Sequence, residues 1–234
     1  MRIEPEEVLM EFLRAKLTDP RTRHSTNSET FTATGGQTEF SLTATSGKKV
    51  QAIISVKQNS SLLSKWQDYY IDLQNQKIIL KEGASSGDEI LVNYKEGATS
   101  WIYTDKPRED LSLSSYPRIS ILVVSGVGER QGNYQADVEH NIHFQIDIWT
   151  KEDIGDNSQI FEINDRKYEG NRLAKIIGYQ ICEQLTNNEN EMYPFLYDYQ
   201  PITSPRDLPM DDTHQSFHTI VECAFKCINI GENI

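Results

Sequence analysis

The stretch from Tyr116 to Trp149 constrains this chain more than any other. In Asn141-Ile142-His143-Phe144-Gln145-Ile146-Asp147-Ile148-Trp149 the apolar residues fall on even positions and the polar ones on odd positions. A period of two belongs to an extended strand with one buried and one polar face. Ahead of it, Ile119-Ser120-Ile121-Leu122-Val123-Val124 is short and almost wholly apolar, as in a strand covered on both faces. Residues 125–137 carry Gly126, Gly128 and Gly132 and read as a loop longer than the roughly two to five residues usual in a hairpin. Trp149 shares the parity of Asp147 and so belongs to the polar face. An aromatic there is either covered within the subunit, by the N-terminal helix for example, or is a contact for a partner.

Two helices flank this hairpin in sequence. Pro5, Glu6 and Glu7 suit a helix start, and Val8, Leu9, Phe12, Leu13, Ala15 and Leu17 give it one apolar face. Thr18-Asp19-Pro20 stops it. The second helix is expected from about 165 to 185, where Leu173, Ile176, Ile177, Ile181 and Leu185 repeat at three and four. A final strand is expected over 217–230. There Val221, Cys223, Phe225 and Cys227 share one face, and Glu222 and Lys226 the other. Residues 193–199 read as a strand or extended arm, and 200–210, with Pro201, Pro205 and Pro209, as irregular.

Between the first helix and the hairpin the texture changes. Residues 22–30 are rich in Ser, Thr and Asn and read as a linker. Short strands then follow at 31–34, 38–42, 50–56, 66–73, 77–80, 89–94 and 101–103, with Gly35-Gly36 as a hairpin turn between the first two. No helical pattern interrupts them. The fold class expected is α+β, with an antiparallel or mixed sheet packed with two helices. Residues 1–26 and 105–234 form that unit, and an all-β sandwich-like domain over 27–104 is inserted in it.

The chain has 234 residues and a net charge of −12. Gripping a phosphate backbone needs clustered Lys and Arg, and Arg21, Arg23 and His24 are the nearest approach to a cluster. No apolar run approaches the roughly 18 residues of a membrane span. The N-terminal residues lack a signal-peptide pattern, so synthesis and folding in the cytoplasm are expected. Cys182, Cys223 and Cys227 read as reduced thiols. The last two, four apart on one strand, lie about 13 Å apart, too far to bridge.

The motif search proposes no enzyme, no catalytic residue, no cofactor and no metal. His140 and His143 are three apart on a strand and point to opposite faces. His214 and His218 reach them only through tertiary contact. Glu152-Asp153-Ile154-Gly155-Asp156-Asn157 lacks the ligand spacing of a calcium loop. Gly126-Val127-Gly128-Glu129-Arg130-Gln131-Gly132 is one residue off a dinucleotide loop and opens no helix.

The order of elements, with Tyr116-Pro117-Arg118-Ile119-Ser120-Ile121, Phe144-Gln145-Ile146-Asp147-Ile148-Trp149 and Asn171-Arg172-Leu173-Ala174-Lys175-Ile176-Ile177, resembles the tail terminator (tail completion) proteins of long-tailed bacterial and archaeal viruses. The likeness covers 1–26 and 105–234, and the β-rich insert departs from the family's compact form. It implies a virion protein of the tail or neck, assembled in the host cytoplasm. Six copies would form a ring that ends the tail tube and meets the head connector, with DNA only passing through the lumen. Arg118, Glu129, Arg130, Gln145, Asp147 and Trp149 are the residues expected at the subunit interface. A head-closure or other neck protein is the alternative within that class. An adhesion or carbohydrate-binding module is the alternative outside it, with Trp66, Tyr69, Tyr70, Tyr94 and Trp101 as a sugar-stacking platform.

Overall fold

A computed structural model describes residues 4–104, 116–130, 138–151, 161–163, 166–209 and 216–228. Its architecture is α+β, two helices with several sheets. In chain order the elements are α1 (Pro5–Lys16), β1 (His24–Thr32), β2 (Gln37–Ser41), β3 (Lys49–Gln58), β4 (Ser61–Leu62), β5 (Tyr69–Asp72), β6 (Lys77–Ala84) and β7 (Glu89–Gly97). Then come β8 (Ile102–Tyr103), β9 (Arg118–Arg130), β10 (Val138–Lys151), β11 (Phe161–Ile163) and β12 (Arg166–Tyr168). The rest are α2 (Gly170–Asn188), a 3-10 turn (Glu189–Met192), β13 (Tyr197–Pro201), β14 (Arg206–Asp207) and β15 (Ser216–Ile228).

Strands β9, β10 and β15 form the long antiparallel centre of one sheet, ordered β13-β15-β10-β9-β8 with β14 also on β15. The period-two pattern lands as expected. Ile142, Phe144, Ile146 and Ile148 are buried and face the helices. Their cross-strand partners Phe225, Cys223, Val221 and Thr219 are buried beside them. Helix α2 lays Leu173, Ala174, Ile177, Ile181 and Leu185 on that face. A Cβ built on Gly178 would come within 2.9 Å of Pro205 Cβ and 3.3 Å of Ile148 Cδ1, so a glycine is what permits this close approach of helix to sheet. Thr150 Oγ1 donates to Gly170 O at 2.7 Å and ties the helix start to β10.

Several expectations change. Residues 22–30 are not a linker: β1 occupies 24–32 and pairs along its whole length with β7. Gly35-Gly36 does not turn a hairpin. β1 joins the four-stranded sheet β1-β7-β3-β4, and β2 the three-stranded sheet β2-β6-β5. Trp66 to Asp68 precede β5 as a turn, with Trp66 at φ 65°. The hairpin pairs further than expected, through Arg130 with Val138, past a bulge at His143/Phe144. On β9 only the first half is covered on both faces: Ile119, Ser120 and Ile121 are buried, while Val123 and Val124 are exposed. The second helix starts at Gly170 because β11 and β12 form a small hairpin before it. The calcium-loop candidate 152–157 and His214 lie outside the described residues.

Helix α1 joins the two parts of the chain. Val8, Leu9, Phe12, Leu13 and Leu17 are buried as its spacing requires, but Glu11 is buried too, at 2 % exposure. Its carboxylate accepts from Ile53 N at 2.9 Å and from Lys65 Nζ at 2.8 Å. Lys95 Nζ of β7 donates to Arg14 O and Leu17 O at the C-terminal end of α1, where a cation meets the negative end of the helix dipole. Trp66 meets Phe195 edge-on at 5.5 Å. One continuous apolar cluster runs from α1 through both smaller sheets into the long sheet and α2.

Candidate functional site

The face of the long sheet turned away from the helices carries the most organised polar group among the described residues. Three cross-strand rows build it. Arg118 of β9, Trp149 of β10 and His218 of β15 form one row. Ser120, Asp147 and Ile220 form the second, and Leu122, Gln145 and Glu222 the third. Antiparallel pairing places directly opposed Cβ atoms about 4.5–5.5 Å apart, so each row sets its side chains side by side.

Asp147 is the hub. It is buried at 2 % exposure, and its Oδ1 lies 2.7 Å from His218 Nε2 and accepts from Gln145 Nε2 at 2.8 Å. The His218 ring stacks on Trp149 with centroids 3.8 Å apart and planes 12° apart. The Arg118 guanidinium lies 3.6 Å from the centre of the Tyr103 ring, a cation–π contact that bridges β8 and β9. Lys151 reaches over Tyr116 at 4.9 Å. Ser120 Oγ and Trp149 Nε1 are buried without a hydrogen-bond partner. A buried polar atom left unpaired costs about 1–3 kcal/mol, and both of these atoms lie beneath the surface.

Four of the six residues expected at an interface come together here. Arg118 and Trp149 are direct cross-strand neighbours, with Asp147 and Gln145 in the next two rows. Arg118 and Asp147 are buried within the subunit, Gln145 and Trp149 half-buried. Glu129 and Arg130 are not part of the group. They pair with Glu139 and Val138 at the far end of the hairpin, about 40 Å from Arg118 along the strand. Trp149 is held by its own sheet through His218; no α1 contact with it is among those described.

His218 is the member that sequence reasoning weighs only as a metal ligand. It has the parity of Glu222 and Lys226 on the polar face, and that signal is legible. Its pairing with Trp149 depends on the register of β10 against β15, which no local pattern reveals.

Asp147 fixes the His218 ring, His218 fixes Trp149, and no hydroxyl or thiol lies within hydrogen-bond distance of the imidazole among the described contacts. No group of three or more His, Cys, Asp or Glu that could hold a metal ion occurs among the described residues. The three cysteines are free thiols, and burial pushes the Cys223 and Cys182 thiols up, away from the reactive thiolate. No helix among the described residues is long and apolar enough to cross a membrane.

Of the five aromatics considered as a sugar platform, Trp66, Tyr69, Tyr94 and Trp101 are buried. Tyr70 is half-buried beneath Lys81. They are core residues and leave no row of exposed rings.

Comparisons with protein-family models, curated proteins and solved structures return no match to this chain.

Proposed function

We propose that this chain is a non-enzymatic structural protein of a long-tailed virus, a tail terminator whose copies close into a ring of six. The ring ends the tail tube, meets the head connector, and lets DNA pass through its lumen. One observation carries the reading: a six-stranded sheet whose long central strands β9, β10 and β15 have the apolar α2 packed on one face and a cross-strand polar patch, Arg118 to Glu222, on the other. Around Leu122, Gln145 and Glu222 that second face is only half-buried and is open to a neighbour. A head-to-tail contact that closes after a whole number of copies gives a ring rather than a fibre. Gln145 and Trp149 are the contact residues of this face; Asp147 holds Gln145 directly and Trp149 through His218. A net charge of −12 suits a lumen that nucleic acid passes without adhering.

Strands β1 to β7 pair only with one another, which supports their reading as an inserted sandwich-like domain. On this reading the insert would include β1 from His24 onward. A head-closure protein is the alternative inside the same class. The sugar-binding alternative loses its support with the burial of four of its five aromatics.

Negative-stain electron microscopy of the purified chain, together with sedimentation, tests the proposal. Rings with a central hole are expected. A chain that stays monomeric at every concentration and also on a tail tube overturns it.

A further inference from the structure

Strand β1 is an edge strand of nine residues, His24-Ser25-Thr26-Asn27-Ser28-Glu29-Thr30-Phe31-Thr32, and its only ladder among the described residues is with β7. Ala33 N donates to Asp88 O, next to the end of β7. Counting back by two, the odd residues of β1 turn their backbone groups toward β7. The even residues His24, Thr26, Ser28, Thr30 and Thr32 turn theirs outward. Ser28 agrees, since its N–H is taken by its own neighbour, Asn27 Oδ1, at 2.8 Å. Thr26, Ser28, Thr30 and Thr32 are exposed, so nothing among the described residues covers this edge.

Edges of this length are commonly blunted by Pro, by Lys or by a bulge. β1 has no proline, no lysine and an unbroken register of nine pairs with β7. In a chain of net charge −12, this strand carries one acidic residue, Glu29, whose carboxylate accepts from Thr43 N at 2.8 Å. It is therefore a nearly uncharged edge on an acidic protein.

We infer that β1 is the contact for a second copy of this chain, pairing antiparallel with its own counterpart across a two-fold axis at Ser28. In that register every outward-facing residue meets an outward-facing residue. Thr26 meets Thr30, His24 meets Thr32, and Ser28 meets its own copy. All nine residues are used, and about eight backbone hydrogen bonds form, since the Ser28 N–H of each copy stays with its own Asn27 Oδ1. Threonine pairs on a shared face are favourable cross-strand neighbours. Glu29 falls opposite Asn27 of the second copy. A slip of one residue would oppose an outward backbone group to an inward one. A slip of two toward the C-terminus would set Glu29 against Glu29, which like-charge repulsion disfavours. The two four-stranded sheets become one eight-stranded sheet through the pair. The contact is isologous, whereas ring closure is heterologous, so it stands apart from the ring and would join two subunits or two rings face to face.

Sedimentation equilibrium of the full chain over a concentration series reads the association. Thr30→Pro removes an outward N–H without touching the ladder to β7 and is expected to weaken the two-fold association at least tenfold. Asn27→Asp keeps the oxygen that binds Ser28 N, gives up the amide's bond to Glu96 within the subunit, and sets the new carboxylate against Glu29 twice across the axis, so it also weakens the pair at least tenfold. Adding Glu29→Lys to Asn27→Asp restores it, and this reversal holds the test open should the proline variant fail to fold. Wild type that never doubles in mass overturns the proposal, as does association that the Asn27→Asp variant leaves unchanged. A ring of six with no two-fold pairing defeats this inference and leaves the ring intact. A dimer that forms no ring does the reverse.

Discussion

Replacing Glu11 by alanine removes the tie between the first helix and the β-rich part of the chain. The wild-type carboxylate accepts from Ile53 N at 2.9 Å and from Lys65 Nζ at 2.8 and 3.1 Å. Glu11 is 2 % exposed and the Lys65 side chain 9 %. In Glu11→Ala the Lys65 ammonium stays buried with Ile53 O, at 2.8 Å, as its remaining acceptor. Breaking a buried pair from one side costs about 3–5 kcal/mol, and an orphaned buried amide about 1–3 kcal/mol. The two share one site and do not add, so a loss of about 4 kcal/mol is expected. For a chain of this size that lowers Tm by roughly 8–16 °C. The double variant Glu11→Gln/Lys65→Met keeps an acceptor for Ile53 N and leaves no buried charge, so it should cost less than Glu11→Ala alone. Urea unfolding followed by tryptophan fluorescence and by far-ultraviolet circular dichroism measures both. A single coincident transition is expected, because one apolar cluster spans both parts. The reasoning is refuted if Glu11→Ala costs under about 1 kcal/mol, or if the double variant is the less stable of the two.

Glu96 supplies an acid-labile contribution. Burial opposes its charge, but bonds from Thr45 N, Thr45 Oγ1 and Lys48 Nζ outweigh it and hold the carboxyl down to about 2. A depressed folded pKa stabilises above the unfolded value near 4.5 and is lost as pH falls toward 2. With solvent reaching Lys48, about 1–2 kcal/mol is expected, and Glu96→Gln should flatten the fall in urea midpoint between those pH values. Trp149→Ala should destabilise the subunit itself by about 2–3 kcal/mol, since the indole stacks on His218 with its nitrogen buried. Unchanged melting with lost assembly would instead make the indole a pure interface anchor. Gly178→Ala should cost about 1–3 kcal/mol by overpacking against Pro205 and Ile148, and thermal melting that does not move would show that the helix can retreat from the sheet.

What can be read along the chain is whatever repeats locally. The alternation in β10 and β15 and the three-and-four spacing of α1 and α2 are consequences of side-chain direction within one element. They therefore identify the buried faces that the structure holds. Tyr69 of β5 and Tyr94 of β7, aromatics at strand spacing, are core for the same reason. Residues 22–30 mislead because Ser, Thr and Asn are shared by linkers and polar edge strands. Only the presence of β7 alongside makes them a strand. Gly35-Gly36 misleads because a turn signal states that the chain bends and not which sheet it enters next.

The sequence by itself determined the α+β class, the two apolar helix faces and the polar side of the long strands, because each follows from periodicity and burial. The tertiary structure alone decided the register, and with it the site. Backbone hydrogen bonds are alike for every residue, so nothing local tells β10 to set Trp149 against His218 or to seat Asp147 between Ser120 and Ile220. The same holds for Glu11, a charge on an apolar helix face, whose partners Ile53 and Lys65 lie 42 and 54 residues further along the chain.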